Sequence, residues 1–179
     1  MPVGKDHRQI VSQDASHIHG NDGIGNLSSM LPEVTLPATE KDSVDMIIEA
    51  IHTYGNELAL LVTGPMTNLA LAESREPGIL SKCKKIIAMG GAIKTNGNVT
   101  PVAEFNISYD ADSAAAVFNA TKNIMLLPLD LTTQMVFSDT DMENCFKNVN
   151  HDKKQEFMRA LTKFTTGTNM MFRETAYDK

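Results

Sequence analysis

Hydrophobic residues recur along this chain in two rhythms. Val44, Ile47, Ile48 and Ile51 fall at i, i+3, i+4 and i+7, which predicts an amphipathic helix from Ser43 to Tyr54 with Gly55 as its stop. Residues 58–62 run apolar without a break at strand length, the pattern of a central parallel strand buried on both faces. A short helix is expected over 68–73 and, past the turn signal Glu76-Pro77-Gly78, a second apolar strand from Lys85 to Met89. Asp110 is placed to cap a helix whose face carries Ala111, Ala114, Ala115 and Phe118, and a third apolar strand follows over 123–129. From Asp139 on the pattern is helical, with Phe157, Leu161, Phe164, Thr168 and Met171 forming one packing face. A short strand closed by Pro37 is expected over 33–36, and residues 1–16 and the Gly-rich 17–25 read as loop. Strand alternating with helix predicts an α/β fold: a mostly parallel sheet flanked by helices, in a single domain over 1–179.

Composition narrows the partners. A formal net charge of −6 argues against a nucleic-acid or anionic-membrane surface, which needs clustered Lys and Arg. No run approaches the ~18 apolar residues of a membrane span, and the N-terminus lacks an apolar signal region, so the default expectation is a cytoplasmic protein. Cys83 and Cys145 lie in no metal-type spacing and read as reduced core thiols. The expected partner is a small molecule or another copy of the chain.

The candidate chemistry concentrates in residues 89–106. Gly90-Gly91 follows the second strand directly, where small residues let backbone or ligand approach. A loop with Asn96, Gly97 and Asn98 comes next, and Glu104 and Asn106, two positions apart, would face the same way on extended backbone. Two amides and a carboxylate converging near a strand's C-terminal end suit a polyhydroxylated ligand such as a sugar. Thr67 is an N-cap candidate for the short helix, and Asp130, just past the third strand, reads as a cap or turn acceptor rather than a catalytic acid. The segment His17-Ile18-His19-Gly20-Asn21-Asp22-Gly23-Ile24-Gly25 is either an ordinary Gly-rich turn or a surface loop near a site. A phosphate loop is excluded, since Gly-x-x-x-x-Gly-Lys is absent.

Residues 89–106, with Thr63-Gly64-Pro65-Met66-Thr67-Asn68 before them and Leu129-Asp130-Leu131-Thr132-Thr133-Gln134 after, closely resemble the inosine-uridine preferring nucleoside hydrolase family. These are calcium enzymes that cleave the N-glycosidic bond of ribonucleosides, built on a Rossmann-like core. The likeness runs in order from His19-Gly20 to about Gln134. It implies that His19 lies in a loop reaching the base, and that His17 is a solvent residue. It further implies that Asn98 and Glu104 bind the 5′-hydroxyl side of the ribose, Asn106 the 2′-hydroxyl side, and that Met89 lies beneath the ring. The Thr67 carbonyl would be a Ca2+ ligand, a role compatible with capping.

The chain departs from the family at water activation. Members carry an aspartate cluster, D-x-D-x-x-x-D-D, that supplies metal ligands and the general base, and a later His-Asp pair; the cluster does not occur in this sequence, and the chain is read as lacking the family's later pair. No catalytic residue is therefore assigned. The expectation is an incomplete nucleoside hydrolase, weak or inactive alone, with a non-catalytic ribose or nucleoside binder as the alternative. A homo-oligomer is open to it, since a sheet lacking a strand exposes an edge.

Overall fold

The structure, a computed structural model, describes residues 16–33, 40–147 and 153–177. In chain order these form α1 (Ser16–His19), α2 (Ser43–Tyr54), β1 (Ala59–Val62), α3 (Thr67–Arg75), β2 (Lys85–Met89), α4 (Phe105–Ser108), α5 (Ala111–Ala120), β3 (Ile124–Leu127), α6 (Leu129–Thr132), α7 (Asp139–Phe146) and α8 (Lys153–Tyr177). The described residues divide into two compact units, one of residues 40–136, the other of 16–33, 137–147 and 153–177.

The first unit carries a three-stranded sheet in the order β1-β2-β3, parallel throughout, with Ile86 registered between Leu60 and Ile124. Each strand reaches the next through helical chain, as parallel pairing requires. On one face Leu60, Val62, Ile86, Ala88, Ile124 and Leu126 pack with Val44 and Ile51 of α2, Leu69 and Ala72 of α3, and Ala114 and Val117 of α5. The α/β fold with a parallel sheet and flanking helices is as expected.

Local signals set the helix ends. Asp42 accepts the Val44 N–H at 2.7 Å, and Gly55 closes α2 with φ +47°, a conformation that a β-carbon disfavours. Asp110 caps α5 by accepting from Ser113 N at 3.1 Å. Arg75, in the last turn of α3, pairs with Asp45 of α2 at 2.5 Å.

Four expectations need correction here. The run 58–62 does not form a central strand: β2 is central, and Leu61 of β1 is 71% exposed, because among the described residues only one face of the sheet is covered. Continuous apolarity does not distinguish a two-sided strand from one with a bare face. On α5 the buried residues are Ala114 and Val117, with Ala111 and Ala115 exposed; the helix is turned so that Val117 rather than Ala115 enters the core. Cys83 is buried, but Cys145 is exposed on α7 and is no core thiol. Residues 16–19 make one helical turn instead of loop, closed at Gly20, where φ is +80°. The strand expected over 33–36 lies, apart from Glu33, outside the described residues.

The second unit is helical. Phe157, Leu161 and Phe164 of α8 are half-buried, and the Phe164 ring stands 3.0 Å from where a β-carbon on Gly25 would sit. Thr168 and Met171 fall beyond the side chains described. Ser138 and Asp141 form a capping box at the start of α7, and Arg159 of α8 pairs with Glu143 and lies 5.1 Å from the centroid of the Phe146 ring.

The one-sided sheet makes a contrast that urea denaturation can read. Ile86→Ala, at a fully buried site on the central strand, is expected to cost about 2–5 kcal/mol, and Leu61→Ala no more than about 0.5 kcal/mol. Equal losses at the two positions would show that both faces are packed.

Candidate functional site

The end of β2 draws together most of the residues singled out above. β2 stops at Met89, and Gly90 adds one more rung by donating to Leu127 O at 3.2 Å. Gly91 then takes φ +81°, which turns the chain out of the sheet and aims its N–H at the Glu104 carboxylate, 2.8 Å away at Oε2. Glu104 is only 2% exposed. Its Oε1 also accepts from Asn106 N at 2.9 Å and its Oε2 from Ile107 N at 3.1 Å. Three backbone donors thus surround one buried carboxylate, which is how such a charge is made tolerable away from water.

This arrangement corrects the expected local geometry. Glu104 and Asn106 do not share a side of an extended strand; Glu104 is the N-cap of α4 and Asn106 lies in its first turn. They still reach the same place, because the cap turns the glutamate back over the helix start. Asn106 is buried, and its Nδ2 donates to Met89 O at 3.1 Å and touches Met89 Sδ at 3.3 Å. Asn98 is exposed, and its Oδ1 accepts from Phe105 N at 2.9 Å, completing the set of α4 amides satisfied by side chains.

Three hydrogen-bonding positions are left over in this cluster. An amide side chain has two donors and two acceptor lone pairs, and a carboxylate accepts at about four sites. Glu104 Oε1 has one bond, and no described residue donates to Asn106 Oδ1 or accepts from Asn98 Nδ2. Two acceptors and a donor match hydroxyl groups, which both give and receive.

The intervening loop is held by shape as well as by bonding. Thr100 and Ala103 form an antiparallel bridge, and a β-carbon on Gly97 would come 2.1 Å from Ala103 O and 2.3 Å from Ala103 N. Asn98 N and Val99 N both donate to Ala103 O at 3.1 Å.

Thr67 lies apart from this cluster in role. Met66, not Thr67, is the N-cap of α3, and the Thr67 side chain makes no capping bond; its hydroxyl donates to the Asp110 carboxylate, joining the starts of α3 and α5. The helix begins one residue earlier than the pattern suggested, so Thr67 is its first helical residue and its carbonyl runs along the axis as an intrahelical acceptor. Among the described residues no three of His, Cys, Asp and Glu come together to hold a metal. A hard dication needs several oxygens with charge, and the residues described do not assemble such a set.

His19 is exposed at the end of α1 in the second unit, and His17 is exposed two residues before it. The loop after His19 is organised by Asp22, whose Oδ1 accepts from Ile24 N at 2.9 Å and Asn26 N at 2.7 Å, and whose Oδ2 accepts from Ser28 N at 2.9 Å. Some desolvation opposes ionisation there, but the backbone donors outweigh it and bring the Asp22 carboxyl down to about 2. The Asn-Asp-Gly triplet carried the signal for this role, since aspartate in a turn bonds backbone shortly after it.

Asp130 is an acceptor, as expected, and it reaches beyond its own turn. It takes the N–H groups of Ile93 at 2.9 Å and Lys94 at 2.7 Å, from the loop that leaves β2. The Ile93 amide, then the Lys94 amide and charge, hold its carboxyl below the usual carboxylate range against partial desolvation. Only the pairing of β2 with β3 brings these residues together, and no local spacing encodes it.

Polar side chains at the C-terminal ends of parallel strands define the α/β proteins that bind small ligands at that rim. The chain belongs to the inosine-uridine preferring nucleoside hydrolase family, whose model matches residues 1–177. It is 39% identical over 132 residues to uridine nucleosidase 1 of Arabidopsis thaliana, covering 74% of this chain and 39% of that protein. It is 42% identical over 123 residues to the inosine-uridine preferring nucleoside hydrolase of Leishmania major, covering 68% and 38%. The purine-preferring ribonucleoside hydrolase of Gardnerella vaginalis superposes with a TM-score of 0.78 at 33% identity, over 86% of this chain and 47% of that one. A plant nucleoside hydrolase superposes at 0.79 with 28% identity, over 94% and 51%. The chain spans between about two fifths and one half of the length of these relatives.

The Asp22 loop has a definite acid response. Its folded pKa of about 2 lies below the ordinary 3.8, so the stabilisation is fully present above 3.8 and is lost as pH falls through about 2. Carbon-detected NMR titration should find the Asp22 carboxyl midpoint near 2, with the Ile24, Asn26 and Ser28 amide signals moving in step; a midpoint at 3.8 would show that these bonds do not form in solution.

Proposed function

We propose that this chain carries the ribose-holding part of a nucleoside hydrolase, an enzyme that cleaves the N-glycosidic bond of purine or pyrimidine ribonucleosides to base and ribose. One observation supports this above the others: Glu104 and Asn106 are both buried and both drawn onto the end of β2, through Gly91 N and Met89 O. In this reading Glu104 Oε1 and Asn98 Nδ2 take the 5′-hydroxyl side of the sugar and Asn106 Oδ1 the 2′-hydroxyl side. Met89, tied to Asn106, forms the floor under the ring. His19 serves the base.

Cleavage of an N-glycosidic bond builds positive charge on the sugar, and a buried carboxylate beside the ring favours that charge. Calcium, when bound in such an enzyme, supplies an activated water. Among the residues described, Asp110 is the carboxylate bonded to Thr67 and no group of three His, Cys, Asp or Glu gathers to hold a metal, so the chain by itself is assigned sugar binding with weak or no turnover. The alternative is a ribose or nucleoside binder without catalysis, which the same three side chains would serve. The protein is read as cytoplasmic and engaged in nucleoside breakdown and salvage, acting on small molecules, with no nucleic-acid or membrane partner and with self-association open to it. No helix among the described residues is long and apolar enough to cross a membrane.

Calorimetry with ribose tests the assignment. Binding is expected for the unaltered chain, with Glu104→Gln weakening it roughly tenfold to hundredfold, the range for loss of a charge-assisted hydrogen bond, and 2-deoxyribose binding less tightly than ribose. Circular dichroism on the variant checks that it folds. Absence of ribose binding, or identical binding by Glu104→Gln, would overturn the reading. Assaying free ribose from inosine and uridine then separates hydrolase from binder.

A further inference from the structure

We propose that Asp130 is a positioning residue for the sugar site, acting through the loop after β2 on Gly91 and so on the Glu104 carboxylate; the sugar itself rests on the reading above. The connection runs through consecutive peptide groups. Gly91 O accepts from Leu129 N at 2.9 Å, which fixes the peptide between residues 91 and 92. The next two peptides are fixed by their N–H groups, those of Ile93 and Lys94, which Asp130 Oδ2 and Oδ1 accept at 2.9 and 2.7 Å. Three successive peptide planes after Gly91 are thereby held to one short segment, 129–130.

Gly91 needs such support. At φ +81° and without a side chain, its orientation is set by its flanks, and its N–H is one of the two donors that Glu104 Oε2 receives. Asp130 is itself anchored. Leu129 beside it is buried, Thr133 Oγ1 donates to Leu129 O and Gln134 Nε2 to Asp130 O, both at 2.6 Å. Asp130 and Glu104 share no backbone donor, and the chain of bonds from one carboxylate to the other runs through Gly91.

A staple that merely tidied the loop would act on residues 93 and 94 alone, which gives the test its discriminating power. Amide hydrogen exchange by NMR on the full chain, unaltered and with Asp130→Asn, is the measurement. The variant keeps the shape but replaces one acceptor oxygen by a donor, so one of the two amides loses its partner. Exchange is expected to quicken roughly tenfold at Gly91 and Ile107, besides Ile93 and Lys94, while Ile86 and Ala88 within β2 keep their rates. Ribose affinity should fall by a similar factor. Faster exchange confined to Ile93 and Lys94, with Gly91 and Ile107 unmoved, would overturn the inference. Failure of the unaltered chain to bind ribose would reject the functional reading instead, and the exchange rates at Gly91 and Ile107 would still decide the relay. Should Asp130→Asn not fold, Asp130→Glu keeps the charge displaced by one methylene and is read at the same four amides.

Discussion

The buried carboxylate of Glu104 is the constraint around which this end of the sheet is arranged. Removing a charged group from water is costly unless donors replace the water, and Glu104 finds three of them in backbone that is short of acceptors for its own reasons. The first turn of α4 has amides with no intrahelical partner, and Gly91 has just left the ladder. Each side solves the other's problem. The bonds span sequence separations from 2 to 13 residues, so they set the local turn and the strand-to-helix junction together. Met89, Asn98 and Asn106 take their places from that junction.

What could be seen beforehand was whatever the backbone repeats locally. The Val44-to-Ile51 stripe, the Lys85–Met89 strand and the Asp110 cap follow from helix or strand period and from the chemistry of a helix end, all contained within about a dozen residues. Coverage of a sheet face is a tertiary property, and residues 58–62 carry no sign of it; Leu61 is as apolar as Leu60, yet lies on the bare side. A helix as short as α4 completes barely one turn, too little for a period to show, so Glu104 and Asn106 looked extended although their convergence was legible. Thr67 shows a different failure, since moving a helix start by one residue changes a capping hydroxyl into a side chain that bonds elsewhere.

The core of the first unit is assembled from neighbours in sequence. Strand order follows chain order, and α3 and α5 each lie between the strands they connect. Contacts between adjacent elements form with little loop-closure cost, which favours a sheet of this kind even when few strands take part. The polar rim is less local. It needs β2 and β3 paired before Asp130 can meet Ile93 and Lys94, and it needs the 96–103 loop folded before Glu104 can turn back toward Gly91.

The crossing of Gly97 over Ala103 bears on how this segment can diversify. Backbone atoms fill the space a methyl group would require, so no repacking of neighbours makes room at position 97. The side chains at the apex are less constrained, since those of Val99 and Val102 are exposed. The ring of chain can therefore exchange its outer side chains while its inner geometry stays fixed, which makes the apex the place to graft new recognition without disturbing the Glu104 carboxylate.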